Sequence, residues 1–324
     1  MNVPTDMVAS SIPPADEDLI FICGALRSGT TLLRLMVNDH PTLSNPGEMD
    51  FLFEAPPAKH GGLDMAAYAR ELSFNRVFLK LKLQIDPNLG YEAQIRDFIR
   101  QLRRPGKRLS INVHRHFDRI PAIFPNARYA RLLRDPRDVA KSSIGMGWAG
   151  NVYHGVDHWI ASERDFERLA ASVDTRRIHT LKYEDLLRTP EAELMRLCAF
   201  LGVPYDPAML NYPNHTTYGP PDARFIEQWR RELTPREIAL VESKAGDMLV
   251  ERGYERSGGA PVSPRAAERV RLRLEDRLGR WREEVRRYGL FLTVLSKVSR
   301  RLGHKGLETF VRKRTAPIEL KYLK

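Results

Sequence analysis

The residues best placed to do chemistry surround a pair of glycines near the N-terminus. The spacing Gly24-x-x-x-x-Gly29-Thr30-Thr31 is that of a phosphate loop, in which backbone N–H groups and a helix N-terminus converge on an anion. Thr30 replaces the lysine that usually follows the second glycine, and the cation of the loop is Arg27. That lysine reaches the far phosphates of a nucleoside triphosphate beside magnesium. The absence of that lysine favours a ligand with a shorter phosphate chain on the 5′ side of its nucleoside. The alternative is a glycine turn that arises by chance.

A second polar segment runs from Arg134 to Ser142 and has the composition of a helix start. Asp135 suits the N-cap, Pro136 the first helical position, and Asp138 the position that would complete a capping box. Arg134 then stands at the carboxyl end of the preceding strand, where open α/β sheets bind ligands. Ser142 lies about two turns into the helix, and we expect it on the face turned toward Arg134.

The elements that carry these residues alternate between strand and helix. Short apolar runs predict four strands, at 19–23, 109–114, 128–133 and 177–182. Helical patterns follow the phosphate loop and recur at 91–102, 117–124, 148–170, 190–201 and from 234 onward. This alternation predicts an α/β fold of the P-loop-like kind, with a central parallel sheet covered by helices on both faces.

Charge divides the chain into regions of different character. The 324 residues carry a net charge of +11, and residues 264–324, with 18 Lys or Arg and 7 Asp or Glu, account for all of it. We therefore predict a loose polar tail (1–18), an enzyme-like domain (19–255) with a helical insert (51–108), and a basic helical extension (264–324).

The cysteine and histidine content bears on the setting of the protein. Cys23 and Cys198 fall in apolar runs and are expected to be core thiols, which favours a reducing, cytoplasmic setting. We see no secretory leader and no apolar run long enough to span a membrane. His154 and His158 stand four apart, as in some zinc sites, but no third ligand has convincing spacing, so we predict no metal site.

Taken together, these segments resemble the sulfotransferase family, in the style of its bacterial and protein-tyrosine-type members. The donor of that family is 3′-phosphoadenosine 5′-phosphosulfate (PAPS), which leaves as 3′-phosphoadenosine 5′-phosphate (PAP). The resemblance covers roughly residues 19–255. It is carried by Arg27–Thr31, Arg134–Ser142, Tyr183-Glu184-Asp185, Phe200–Pro204 and the segment 224–254 with Trp229. It implies in-line transfer of a sulfuryl group to a hydroxyl without a metal.

The resemblance implies a role for each motif in holding the donor. The loop residues that would hold the 5′-phosphosulfate are Arg27, Ser28, Gly29, Thr30 and Thr31. Arg134 and Ser142 would hold the 3′-phosphate, with Tyr183 nearby, and Arg27 would stabilise charge on the leaving oxygen. Plainer alternatives stay open, since Arg134 could simply pair with Asp138 and Ser142 could be an ordinary helix residue. Trp229 could stack on adenine or belong to the core.

The acceptor hydroxyl needs a general base, and the resemblance offers more than one candidate. Glu48, in a Gly47-Glu48 turn after the loop helix, resembles the glutamate of protein-tyrosine and many bacterial sulfotransferases. His114 ends a predicted strand as the catalytic histidine of cytosolic sulfotransferases does, although the lysine that precedes that histidine is absent here. His116 is a further candidate. Glu48 is our first choice.

The basic extension has an apolar seam from Leu274 to Leu295 with steps of three and four residues, which predicts an amphipathic helix. The seam could pack on the body of the protein, pair two subunits, or lie on an anionic membrane and so suit a lipid acceptor. The basic residues of the membrane alternative are Lys297, Arg300, Arg301 and Lys305.

We therefore predict a sulfotransferase that acts on a hydroxyl of a carbohydrate, lipid or other small acceptor, with no nucleic-acid partner. The insert 51–108 and the loop 205–223 are expected to select the acceptor. A P-loop kinase or nucleotidase would need a loop lysine and a magnesium-binding carboxylate, and neither is evident. A binding protein that uses the basic tail for nucleic acid or membrane leaves Arg27, Glu48 and Arg134 unexplained.

Overall fold

A five-stranded parallel sheet forms the centre of the computed structural model, which describes residues 18–57, 62–302 and 304–320. Its strands are β1 (Ile20–Cys23), β2 (Leu43–Ser44), β3 (Arg108–Val113), β4 (Arg128–Leu133) and β5 (Ile178–Lys182). They lie side by side in the order β2-β3-β1-β4-β5. Cys23 at the end of β1 pairs with Val113 of β3 and Arg131 of β4. The carboxyl ends of these strands therefore meet at one edge, where the phosphate loop follows β1.

Helices occupy most of the connections between these strands. Before β4 they are α1 (Thr30–Asn38), α2 (Met65–Leu72), α3 (Arg76–Leu81), α4 (Tyr91–Leu102) and α5 (Ile120–Ile123). The next five helices after β4 are α6 (Pro136–Gly145), α7 (Val152–Gly155), α8 (Asp157–Ser172), α9 (Tyr183–Arg188) and α10 (Pro190–Leu201). The remaining helices are α11 (Trp229–Glu232), α12 (Pro235–Ala245), α13 (Met248–Glu251), α14 (Ala266–Leu302) and α15 (Lys305–Leu320).

Both faces of the sheet are covered, because successive side chains of a strand point to opposite sides. Phe21 and Cys23 of β1 face a core built with the insert and with α5 and α8. Ile20 and Ile22 face a second core built with α1, α9 and α10. The predicted α/β fold, with a central parallel sheet and helices on both faces, is confirmed. Cys23 and Cys198 are buried free thiols, as predicted.

Several predicted element bounds differ from the structure. Strand β2 was not predicted, because two residues carry no apolar pattern. The helix predicted at 117–124 is a 3₁₀ turn followed by the short helix α5. The helix predicted at 148–170 begins only at Val152 and is divided into α7 and α8 at Val156. Apart from Asp18, the predicted N-terminal tail lies outside the described residues, as do residues 58–61 of the insert.

The start of α6 confirms one predicted cap and corrects another. The Asp135 side chain accepts a hydrogen bond from the backbone N–H of Arg137 at 2.9 Å, as expected of an N-cap. The capping box predicted for Asp138 is wrong, because Asp138 accepts the N–H of Trp229 at 2.8 Å while the N–H of Asp135 donates to Glu184. Trp229 is buried under the guanidinium of Arg137, 3.7 Å from its ring centroid, so it is a core residue.

The basic extension folds back onto the domain through a contact between two glycines. A Cβ on Gly279 of α14 would lie 2.5 Å from the Cα of Gly150, so this approach requires glycine. Beside it, Asp276 accepts the N–H of Gly150 at 2.8 Å. Helix α14 is kinked at Gly289 and packs on α15.

The predicted apolar seam is not the face by which the first half of α14 meets the domain. Leu274, Leu278 and Trp281 remain exposed, whereas Leu272 and Asp276 are buried. Within the described ranges, no helix combines the length and apolar character needed to cross a membrane.

Candidate active site

The phosphate loop is shaped by two glycines that cannot be replaced without strain. Gly29 has φ +91°, in the left-handed region, and a Cβ there would lie 2.3 Å from the Tyr183 ring. A Cβ on Gly24 would lie 2.7 Å from the carbonyl oxygen of Leu132 in β4. The loop is therefore pressed between the sheet and the ring of Tyr183, which places its backbone at the carboxyl edge of the sheet.

The N-terminus of α1 presents hydrogen-bond donors to an anion. No side chain caps this helix, and its first turn carries no acidic residue. The hydroxyl of Ser28, on a residue only 1 % exposed, has no hydrogen-bond partner among the described residues. Because buried polar atoms are normally paired, and because the helix dipole favours negative charge here, these residues fit a bound anion.

Arg27 connects the loop to helix α6. Its Nε donates to the Ser142 hydroxyl at 2.9 Å, and its guanidinium carbon lies 5.9 Å from the centroid of the Trp148 ring. Its backbone has φ +74°, unusual for a residue with a side chain. Burial lowers the pKa of Arg27 from its ordinary value, and Tyr218 opposes this effect. Because the ordinary pKa of arginine is far above neutral pH, Arg27 stays charged.

Arg134 supports the loop from the end of β4, as its predicted position implied. Its Nη1 donates to the carbonyl oxygen of Arg27 at 2.9 Å, and its guanidinium lies 4.4 Å from the centroid of the Tyr183 ring. Its Nε has no hydrogen-bond partner among the described residues, and its Nη2 lies 3.9 Å from a carboxylate oxygen of Asp138. The Ser142 hydroxyl, expected on the face turned toward Arg134, accepts the hydrogen bond from Nε of Arg27.

Glu48 is fixed by the turn that precedes it. The Asn45 side chain accepts the N–H of Gly47 at 2.9 Å and donates to Asn112 of β3 at 3.0 Å. The backbone of Glu48 bridges to Asn112 as an extension of the sheet. The Glu48 side chain is 35 % exposed and comes within 4.0 Å of Nε2 of His114. The turn therefore presents one accessible carboxylate to the end of β3.

His114 belongs to a hydrogen-bonded chain that ends in the phosphate loop. The Asp50 carboxylate accepts from the His114 backbone N–H at 2.6 Å and bonds to ring Nδ1 at 2.9 Å. On the other side of the ring, Nε2 is 3.0 Å from the hydroxyl of Thr30. His114 thus bonds to the phosphate loop through Thr30, and the same ring nitrogen lies near Glu48.

The electrostatics of these hydrogen-bonded groups favour a charged pair of Asp50 and His114. Burial by itself would lower the pKa of His114, but the charge and hydrogen bond of Asp50 outweigh it, so that the pKa lies above its ordinary value. Burial by itself would raise the pKa of Asp50, but its interactions with His114 hold that pKa below the ordinary range. Asp50 was not predicted as a site residue, and its only sequence signal is a second carboxylate in the turn of Glu48.

The other histidines have separate contacts. The backbone N–H of His116 donates to Asp165 at 2.8 Å, at the start of a 3₁₀ turn. His154 pairs with Asp157 at 3.2 Å. Across the part of the chain that the structure describes, no three His, Cys, Asp or Glu side chains are grouped so that they could hold a metal ion.

A cavity of about 660 Å³ lies between the insert and α15. Its wall includes Phe51, Tyr68 and Phe74 from the insert side and Arg312 from α15, which pairs with Glu71. None of the predicted site residues lines it. The basic extension therefore touches the insert as well as the segment around Gly150.

Comparisons with known proteins agree with this architecture. A model of the sulfotransferase family matches residues 18–207, more than half of the chain. Nodulation protein NoeE of Sinorhizobium fredii is 27 % identical over 283 residues, 74 % of this chain and 66 % of that protein. Omega-hydroxy-beta-dihydromenaquinone-9 sulfotransferase Stf3 of Mycobacterium tuberculosis is 28 % identical over 163 residues, 45 % of this chain and 40 % of that protein. The matches span less than two thirds of both relatives.

A solved structure supports the same fold. The sulfotransferase domain from the curacin biosynthetic pathway superimposes with a TM-score of 0.52 at 21 % identity, over 73 % of this chain and 97 % of that domain. The family match, the parallel sheet and the phosphate loop lead to one conclusion. The chain belongs to the sulfotransferase family, in agreement with the resemblance found in its motifs.

Proposed function

We propose that this protein transfers a sulfuryl group from PAPS to a hydroxyl of a carbohydrate, lipid or other small acceptor. One observation carries the proposal. Donors suited to an anion and an accessible carboxylate suited to proton transfer are linked by His114, which bonds to the Thr30 hydroxyl at 3.0 Å and lies 4.0 Å from Glu48. The two halves of a sulfuryl transfer, holding the donor and activating a hydroxyl, would therefore act at one place.

The residues of the loop fit the 5′ side of the donor. Ser28 has a buried, unpartnered hydroxyl, and the uncapped start of α1 adds backbone N–H groups from Gly29 to Thr31. When bound, PAPS supplies the sulfuryl group and a phosphate leaving group. Arg27 would stabilise charge on the leaving oxygen from its fixed position against Ser142 and Trp148.

We assign the 3′-phosphate to Arg134, Ser142 and Tyr183. Arg134 has an unpartnered Nε and a ring of Tyr183 against its guanidinium. Ser142 stands on α6 within reach of the Arg27 side chain, so a phosphate there would meet more than one donor.

Glu48 is the base in this proposal, because its accessibility differs from that of His114. The Glu48 side chain is 35 % exposed, whereas that of His114 is 1 % exposed and both of its ring nitrogens have partners. An acceptor hydroxyl can reach Glu48 more easily. His114 would instead hold the Thr30 hydroxyl in place.

The acceptor class rests on a relative and on the surroundings of the site. Stf3 is named for a hydroxyl of a dihydromenaquinone, which is a lipid. We propose that the insert 51–108 and the loop 205–223 select the acceptor here, and that the buried thiols reflect a reducing, cytoplasmic setting. Transfer without a metal is also part of the proposal, and full activity in the presence of EDTA would support it.

Calorimetric titration with PAP in the absence of magnesium tests the proposal, with ADP as the comparison. We expect PAP to bind and ADP, which lacks the 3′-phosphate, to bind at least about tenfold more weakly, because Arg134 loses its ligand. The Arg134→Ala variant should abolish most of this difference. Equal binding of the two nucleotides, or none, would overturn the assignment of the donor.

A further inference from the structure

The second half of α14 presents an apolar stripe to solvent. After the kink at Gly289, five large apolar side chains are exposed by between 41 % and 71 %. They are Leu290, Phe291, Val294, Val298 and Leu302. At about 100° per residue they occupy roughly a third of the circumference of the helix. We call these five residues the apolar stripe.

The opposite side of the same helix is turned inward and its most buried residues are polar. Thr293 and Ser299 are each 2 % exposed, and together with the partly buried Leu292 they line a cavity that residues of α15 also line. A helix that serves only a protein core buries its apolar side instead. Single exposed apolar residues are ordinary, but a contiguous run of five indicates an interaction surface.

Basic side chains border the apolar stripe. By helical position Lys297 lies about 20° outside one edge of the stripe and Arg301 about 20° inside that edge. Arg300 lies further round the helix, where it also lines the cavity shared with α15; all three are exposed. The segment to which they belong carries the whole net charge of +11 of the protein. An exposed apolar stripe with a basic border is the pattern of a helix that lies in the headgroup region of an anionic bilayer.

We propose that the apolar stripe docks on the surface of an anionic lipid bilayer. The stripe extends for about 18 Å along the helix, at 1.5 Å per residue, and would lie in the plane of the membrane rather than cross it. A second copy of this chain is a poorer partner. It would bring a second set of Lys297, Arg300 and Arg301 against the first, and like charges oppose that contact.

Helix α14, which carries the apolar stripe, also contacts the segment beside the candidate active site. In the first half of α14, Arg287 donates to the carbonyl oxygen of Met146 at 2.9 Å. Two residues further along the chain, the Trp148 ring lies beside Arg27. If the proposed function holds, docking of α14 on a bilayer favours an acceptor hydroxyl that is carried by a membrane lipid.

Flotation of the full chain with vesicles tests the docking without any donor or acceptor. We expect flotation with phosphatidylcholine vesicles that contain phosphatidylglycerol, and little with phosphatidylcholine alone. Salt at about 0.5 M should release most of the protein, because it screens surface charges. Equal flotation with both vesicle types, or flotation with neither, would overturn the proposal.

Matched double variants distinguish vesicle binding through the apolar stripe from non-specific adsorption of the protein. F291S/L302S should lower the bound fraction at least about tenfold, as should K297A/R301A. The first control, M195S/V250S, removes two other exposed apolar side chains from the domain, and the second, R100A/R176A, removes two exposed arginines. Both controls should float like the parent protein, and an equal loss in them would count against the apolar stripe.

The flotation result does not depend on the proposed function, because PAP binding is measured in a separate titration. Sedimentation that shows a dimer abolished by F291S/L302S, together with no flotation, would assign the stripe to a second copy and overturn membrane docking. Flotation without PAP binding would leave the docking surface and remove the assignment of PAPS as the donor.

Discussion

The carboxylate of Asp50 holds His114 at two points, the backbone N–H at 2.6 Å and ring Nδ1 at 2.9 Å. Because a carboxylate only accepts hydrogen bonds, Nδ1 of the imidazole carries a proton and is the donor to Asp50. The other ring nitrogen, Nε2, is then directed at Thr30 and lies 4.0 Å from Glu48. Asp50 thereby sets the orientation of the His114 ring at the end of β3.

Replacing Asp50 should affect catalysis through His114. We expect D50N to lower kcat about 100-fold, with little change in PAP affinity, and to lower the pKa of His114, because the negative charge beside the ring is removed. The pH dependence of kcat and a titration of the histidine signals by NMR would measure this. D97N is the control, since Asp97 pairs with Arg100 in α4, away from the site. An unchanged kcat would reduce Asp50 to a structural role.

Glu48 and His114 can be distinguished as the base by replacing each with glutamine. We expect E48Q to reduce kcat by about 10²- to 10⁴-fold, because the amide cannot take a proton. Its affinity for PAP, by titration, should match that of the parent. E54Q serves as control, since Glu54 pairs with Arg115 and is exposed to a similar degree. If E48Q retains near-normal turnover, the base is misassigned and H114Q becomes the variant to study.

Gly29 should tolerate no side chain. G29A forces a Cβ to within 2.3 Å of the Tyr183 ring and keeps φ at +91°. We expect loss of PAP binding and a free energy of unfolding lowered by about 1–3 kcal/mol, measured by calorimetry and urea denaturation. G145A should instead be neutral or slightly stabilising, since Gly145 lies in α6 with open space around it. Adding Y183A should relieve the clash but leave the backbone strain.

The stability contributed by the Asp50–His114 pair should depend on pH with a definite sign. The pKa of His114 is raised in the folded state, so its contribution is complete below about pH 6.5 and declines as pH rises through the raised value. The pKa of Asp50 is lowered, so its contribution is complete above about pH 4 and declines below that.

The free energy of unfolding should therefore differ most between the parent and D50N at about pH 5–6, and less at pH 9. A tenfold difference in proton affinity corresponds to about 1.4 kcal/mol, which urea denaturation resolves. A difference that grows between pH 6 and pH 9 would mean that the pair does not carry a charged histidine.

The main strands and the phosphate loop could be predicted because local signals specify them. An apolar run marks β1, and the glycine spacing marks the turn into α1. Strand β2 could not, since two residues have no period. The pairing of Asp50 with His114 was also out of reach, because the two residues are 64 positions apart and only the sheet brings them together.

Two further differences have the same origin in tertiary contacts. Asp138 has the residue type and spacing of a capping box, but Trp229 offers its N–H and Glu184 takes that of Asp135. The period of α14 predicts a helix with an apolar side. It does not say which side meets the domain, and the Gly279–Gly150 contact decides that.

The double attachment of Arg27 has a thermodynamic consequence. Its side chain bonds to Ser142, and its carbonyl oxygen is held by Arg134. Under the proposed function, the residue that faces the reacting end of the donor is thus braced by the two that would hold the far phosphate. The two ends of the nucleotide are then recognised cooperatively. A nucleotide that lacks the 3′-phosphate would lose more affinity than one missing contact accounts for, and it would leave Arg27 less ordered.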